Sequence, residues 1–148
     1  MHTEYGINDC RRERKHNEVS RMTHTLRNRS AEEIDAILDA SEKPDSSTDN
    51  LYLLHILARD SRISVRRRAA EVLKYNLEND FNRINSLIQL LARDSSPVIQ
   101  NAAARRLRDF IALCESDDRK KLLREWSMSE DHRIRKTLEM ATCERELM

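Results

Sequence analysis

The stretch LHILARDSRISVRRRAAEVL, residues 54–73, recurs later in the chain as IQLLARDSSPVIQNAAARRL, residues 88–107. The four residues ARDS, a pair of alanines and a closing leucine return at identical spacing, each 34 residues further on. A fixed period of this size is typical of a unit that cannot bury its apolar face alone and stacks on copies of itself. The sequence therefore predicts a repeat architecture.

The composition indicates which secondary structure these repeats contain. The chain has 148 residues, a length that fits one domain, with a single Gly and two Pro. Arg, Glu, Leu and Ala are abundant, so little material remains for tight β-turns or glycine-rich phosphate loops. We therefore expect an all-α chain.

Charge divides the first third of the chain into two blocks. Residues 10–29 contain seven Arg or Lys against two Glu, whereas residues 30–49 contain seven Asp or Glu against one Lys. We expect these opposite charges to pair, within one molecule or between two copies. The division predicts a basic N-terminal segment, 1–29, partly helical, followed by a helical repeat domain, 30–148.

Turn residues locate the helices within the repeat domain. Ser30 followed by Glu33 is a capping box that predicts a short helix to about residue 42. Pro44 and its polar neighbours predict a loop over 43–49. Ser96 before Pro97 predicts a hydroxyl cap on a later helix. The predicted first helices of the pairs are 51–59, 80–93 and 117–127, and the second helices are 62–78, 97–114 and 131–144.

The start of each second helix resembles the HEAT-like repeat family, in which an Asp, a spacer and a Val-Arg pair open this helix. The matching residues are Asp60 with Val65-Arg66, Asp94 with Ile99-Gln100, and a looser Ile134-Arg135. The resemblance covers about residues 50–145. It implies a short right-handed α-solenoid of three to four HEAT-like helix pairs, with the second helices on the inner face.

The resemblance also assigns roles to side chains of the second helices. Arg66, Gln100 and Arg135 are expected to form a structural hydrogen-bond ladder between repeats. Arg106 replaces the apolar Val72 at an inward position, so it must extend to water or meet a carboxylate.

The exposed arc of the second helices is mostly basic. Glu71 lowers the net positive charge of this arc, and we expect Glu71 to form an ion pair with Arg105 of the next repeat. We name this arc the basic ridge, and its members are Arg67, Lys74, Asn101, Arg105, Arg108 and Lys136.

No catalytic motif accompanies the repeats. The sequence has no glycine-rich phosphate loop, no nucleophile elbow and no pair of His with zinc-ligand spacing, so we expect no enzyme activity, no cofactor and no metal site. The sequence favours a non-catalytic adaptor whose basic ridge binds an acidic protein partner. The alternative is a protein that binds the nucleic-acid backbone through the ridge and a basic arm. The residues of that arm are Arg11, Arg12, Arg14 and Lys15.

Localisation and self-association are also addressed by the sequence. Three widely spaced Cys and the absence of an apolar leader or a membrane-length apolar segment favour a reducing, cytoplasmic compartment and no membrane partner. Base stacking is disfavoured because few aromatic residues are present. Self-association remains open, through the charge blocks or through an apolar C-terminal face containing Met140, Cys143, Leu147 and Met148.

Overall fold

The computed structural model describes residues 26–41, 48–78 and 80–143. Within these ranges the chain forms seven α-helices and no strand, so the all-α prediction is confirmed. The predicted segment 1–29 is described only from Leu26 onward, and the predicted basic arm lies outside the described residues. The helices are α1 (Ala31–Ser41), α2 (Thr48–Leu57), α3 (Ile63–Val72), α4 (Phe81–Ala92), α5 (Pro97–Leu113), α6 (Ser116–Ser127) and α7 (His132–Thr142).

Helix boundaries follow the predicted ones closely, with two differences. Helix α2 begins at Thr48, inside the predicted loop 43–49, of which residues 43–47 lie outside the described residues. Helix α3 ends at Val72 and tightens into a 3-10 turn over Leu73–Asn76. The buried Asn76 amide donates to the Val72 carbonyl at 3.3 Å, which supplies that carbonyl with a partner where the regular helix ends.

The helices pack in two layers. Helices α1, α3, α5 and α7 contact one another in chain order, and α2 and α4 pack against them and against each other, with α6 against α7. One hydrophobic core extends between the layers from Ile34 of α1 to Ile134 of α7. Buried alanines of α3 and α5, including Ala69 and Ala103, allow the second helices to approach closely. The right-handed solenoid of HEAT-like pairs stays a prediction.

The helix starts use different caps. Ser30 accepts the Glu33 amide at 3.2 Å and its hydroxyl donates to the Glu33 carboxylate at 3.3 Å, which confirms the contact predicted between these residues. The Asp80 carboxylate caps α4. The predicted Ser96 hydroxyl cap is wrong, since this side chain makes no capping bond. The Asp94 carboxylate closes this turn instead by accepting the Ser96 amide at 2.9 Å.

A buried polar group joins α4 to α6. The Asn85 side-chain oxygen accepts the indole N–H of Trp126 at 2.8 Å, and its amide donates to Glu125 at 3.2 Å. Gln89 also donates to Glu125, at 3.1 Å. These bonds fix the third helix pair on the second, because the buried indole N–H has its acceptor only while the two helices are in contact.

Candidate functional site

The side chains of the predicted ladder bond to the turns between paired helices. Arg66 donates to the Asp94 carboxylate at 2.8 and 3.3 Å and to the carbonyls of Asp60 and Ser61 at 2.9 and 3.1 Å. Gln100 donates to the Asp94 carbonyl at 2.6 Å. Arg135 donates to the carbonyl of its own turn, that of Ser129, at 2.7 Å. The predicted bond between repeats is observed for Arg66 alone, whereas Gln100 and Arg135 bond within their own repeats.

Two further arginines stabilise the turns and were missed by the sequence analysis. Arg62 donates to the Asp60 carboxylate at 2.9 and 3.0 Å and to the Arg29 carbonyl at 2.7 Å. The side-chain bond from Arg62 is the main cause that lowers the pKa of Asp60. Arg133 likewise lowers the pKa of Asp131. The sequence does contain a signal for these contacts, because each arginine follows an aspartate of the turn by two residues.

Part of the basic ridge lines a groove between α3 and α5. Arg67, Asn101 and Arg105 are exposed, and they face each other across a groove of about 250 Å³. We call it the α3–α5 groove, and its lining residues are Arg67, Glu71, Val98, Asn101, Ala102, Arg105 and Arg106.

The other ridge residues are not brought into this groove. The Lys74 ammonium lies 4.9 Å from the ring centroid of the adjacent Tyr75. Arg108 is half-buried. Lys136 lines a separate depression on α7 together with Glu139, Met140 and Cys143. The predicted ridge is therefore divided, and the groove holds three of its six members.

The negative charge in the α3–α5 groove is already paired. The Glu71 carboxylate lies 3.3 Å from Arg67 and 3.6 Å from Arg68, both on its own helix. The predicted Glu71–Arg105 ion pair is therefore wrong, because positions three and four residues apart on one helix meet first. Arg105 forms no ion pair with any residue that the structure describes.

Arg106 forms part of the groove floor. Its guanidinium donates to the Glu71 carbonyl across the groove at 3.1 Å and pairs with Asp109 at 3.2 Å. Its side chain is 15% exposed, and its Nε is buried with no hydrogen-bond partner among the described residues. Of the two expectations for this inward arginine, the meeting with a carboxylate is observed, and the bond to Glu71 connects α5 to α3.

The acidic block pairs mainly with another helix. Arg68 of α3, which the sequence analysis did not single out, contacts Asp39 at 2.5 Å and Asp35 at 3.5 Å. Between the two charge blocks, the described contact is Arg29 with Glu33 at 3.9 Å. The expected pairing of the blocks is thus limited to that contact among the described residues, and residues 10–25 lie outside them.

A second cavity lies on the opposite layer. It measures about 260 Å³ and is lined by Leu26, Arg27, Tyr52, His55, Ile56, Arg59 and Asp60. Burial, followed by the charge of Arg59, lowers the pKa of His55, so its imidazole is neutral near neutral pH. Arg83 lies over the Tyr52 ring, 4.6 Å from its centroid.

The described residues include two free cysteines, Cys114 and Cys143. Burial and the nearby Asp118 raise the pKa of the Cys114 thiol, which is the opposite of the shift that activates a nucleophile. Cys143 and Met140 are half-buried, and Leu147 and Met148 of the predicted apolar face lie outside the described residues. Across residues 26–41, 48–78 and 80–143, no three His, Cys, Asp or Glu side chains converge as metal ligands.

Comparison of the chain with protein families, with curated proteins and with solved structures finds no match. In the part of the chain that the structure describes, no helix combines the length and apolar character needed to cross a bilayer. The fold and the α3–α5 groove therefore define the class, an all-α protein with an arginine-lined groove between stacked helices.

Proposed function

We propose that the chain is a non-catalytic protein-interaction module, a short right-handed α-solenoid of HEAT-like helix pairs that binds an acidic protein segment in the α3–α5 groove. The 34-residue repeat and the chain-order packing of α1, α3, α5 and α7 support the solenoid. The observation that carries the binding role is the arginine-rich lining of one groove by two neighbouring helices.

The lining of the groove suits carboxylate ligands. Arg67 and Arg105 present guanidinium groups at the surface, and the only carboxylate of the lining, that of Glu71, already has two arginine partners. Hydrogen bonds between guanidinium groups and carboxylates are about twice as strong as neutral ones and have defined geometry. Val98 and Ala102 add apolar surface to the same groove. Charge complementarity of this kind supplies specificity and speeds association.

The proposal is tested by charge reversal on matched faces. The groove variant is Arg67→Glu with Arg105→Glu, and the control variant is Lys121→Glu with Arg124→Glu on the exposed surface of α6. Each purified protein is used for affinity capture from nuclease-treated and untreated lysate. We expect a stoichiometric protein that survives nuclease, is retained by the control variant and is lost by the groove variant. Equal capture by both variants would contradict the proposal.

The alternative, binding to a nucleic-acid backbone, is favoured by the same arginines, because phosphate accepts guanidinium bonds as well as carboxylate does. It predicts capture of nucleic acid, or of proteins that are lost on nuclease treatment. It also predicts an affinity that falls with log salt by about 0.7–0.9 in slope per phosphate neutralised. A flat salt response would exclude it.

A further inference from the structure

The floor of the α3–α5 groove includes a small, mostly buried residue, Ala102, which is 9% exposed. Ala102 lies on α5 at the position that Arg68 occupies on α3, one 34-residue repeat earlier. Arg68 extends its guanidinium between α1 and α3, where it contacts Asp35, Asp39 and Glu71. Between α3 and α5 the methyl group of Ala102 is far smaller than the Arg68 side chain and lies in the lining of the groove. We call the part of the groove beside this methyl group the Ala102 notch.

The next second helix has this position closed. The ladder residues Gln100 and Arg135 make equivalent bonds to their turns, which aligns Ala102 with Thr137 of α7. Thr137 is 1% exposed, and its hydroxyl donates to the Arg133 carbonyl at 2.8 Å. Ala102, by comparison, is 9% exposed and lies in the lining of the α3–α5 groove.

The charges around the Ala102 notch are the reverse of those around Arg68. Arg68 is a cation among three carboxylates. The notch is bordered by Arg67, Arg105 and Arg106, while the nearby Glu71 is held by Arg67 and Arg68. Arg106 also carries the buried Nε that has no acceptor among the described residues. The group that complements this surrounding is therefore an anion of side-chain size.

We propose that the Ala102 notch receives one Asp or Glu side chain of the acidic partner and so determines the register of that partner in the groove. The inference rests on the proposed function, since it names the contact that the same groove makes. It differs from simple charge attraction because it requires open space at residue 102 as well as positive charge around it.

The substitution Ala102→Arg separates the two explanations. It places an arginine, like Arg68 one repeat earlier, in the α3–α5 groove. The new side chain fills the notch and adds one positive charge. Charge attraction alone predicts tighter binding of an acidic ligand, whereas the notch predicts weaker binding. The probe is fluorescein-labelled poly-L-glutamate, titrated with the full chain at low ionic strength and followed by fluorescence anisotropy. We expect Ala102→Arg to weaken binding by about tenfold or more, and Ala102→Ser, which leaves the notch open, to stay within about twofold.

Further variants keep the test decisive. Circular dichroism and thermal melting check that Ala102→Arg is folded. If that variant is unfolded, Ala102→Gln fills the notch without adding charge, and its affinity for poly-L-glutamate is measured instead. Tighter or unchanged binding by the filled variants, with binding lost in Arg67→Glu with Arg105→Glu, would overturn the notch and leave the proposed function standing. If the unmodified chain does not bind poly-L-glutamate, the notch and the acidic-partner proposal are overturned together.

Discussion

Two consecutive arginines of α3 have different surroundings. The Arg66 side chain is 13% exposed and bonds to Asp94 and to two turn carbonyls, whereas the Arg67 side chain is 59% exposed and pairs with Glu71 of its own helix. One residue of advance along a helix rotates the side chain by about 100°, which is enough to move it from the turns to the groove. Adjacent residues of one type therefore serve structure and surface.

The free energy of unfolding should separate these two arginines. Replacing Arg66 by Met leaves the mostly buried Asp94 carboxylate without its positively charged partner, and we expect a loss of about 3 kcal/mol. Replacing Arg67 by Met removes an exposed pair within one helix and should cost less than about 1 kcal/mol. Urea denaturation of the two variants gives the comparison. A loss of less than about 1 kcal/mol for the Arg66 variant would show that these bonds do not stabilise the fold.

The sequence predicted in part the contacts of those side chains whose partners depend on their position along the repeat. The resemblance predicted that Arg66, Gln100 and Arg135 bond between repeats, which is observed for Arg66, whereas the other two bond within their own turns. The partner of Glu71 was predicted wrongly, and Arg68 was missed. These contacts depend on rotamers and on the distance between neighbouring helices, which helical periodicity does not encode.

At the scale of the helices, the starts of α4 and α5 use different devices. The Asp80 carboxylate accepts the amides of Asn82 and Arg83 at 3.1 and 3.3 Å. Helix α5 begins with Pro97, which has no amide to satisfy, and its N-cap Ser96 makes no side-chain cap bond. The cap of α4 thus depends on one side chain, whereas that of α5 does not.

Alanine substitution at these two caps should therefore have different effects. We expect Asp80→Ala to lower the free energy of unfolding by about 1 kcal/mol and Ser96→Ala to change it by less than about 0.5 kcal/mol. Hydrogen exchange should show faster exchange at the amides of Asn82 and Arg83 in the first variant only. A larger loss for Ser96→Ala would contradict this assignment of the caps.

Helix existence was predictable, but one boundary was not. Apolar periodicity and the turn residues placed six paired helices, and all six are present. The start of α2 was missed because Thr48 and Asp49 are polar residues that serve equally well in a loop or in the first turn of a helix. Which role they take depends on packing of the following leucines.

At the scale of the whole molecule, three shifted groups make stability depend on pH in one direction. Burial and Arg59 lower the pKa of His55 from 6.5, so the unfolded chain binds this proton more readily and stability falls as pH falls through that range. The arginine bonds lower the pKa of Asp60 and of Asp131 from 3.8. Their contributions are present above that value and are lost as pH falls below it.

Substitution of His55 should remove the loss of stability that occurs near neutral pH. The charged side chains that surround or adjoin this histidine are Arg27, Arg59, Arg83 and Asp60. We expect the unmodified chain to lose stability as pH falls through 6.5, the ordinary pKa of histidine, and His55→Gln to lose less over the same interval. Both proteins should lose stability below about pH 4. Urea unfolding at a series of pH values measures this, and parallel curves above pH 4 would rule out His55 as the cause.

The sequence was sufficient for the class of the whole molecule but not for the position of its groove. Few Gly and Pro and the repeat predict stacked helices, which the structure contains. Ala102 lies in the lining of the groove with a methyl side chain, and an alanine on a helix wheel carries no signal of whether neighbours fill the space beside it. The right-handed solenoid remains a prediction.

The bond between Trp126 and Asn85 gives the molecule a spectroscopic property. Trp126 is the single tryptophan of the chain and is 0% exposed, so intrinsic emission arises from one buried indole at the contact of α4 and α6. Detachment of the third helix pair would hydrate the indole and shift its emission to longer wavelength. A ligand in the α3–α5 groove touches neither helix surface at this contact, so it would leave the emission unchanged. The natural fluorophore therefore reports the integrity of the array separately from the occupancy of its groove.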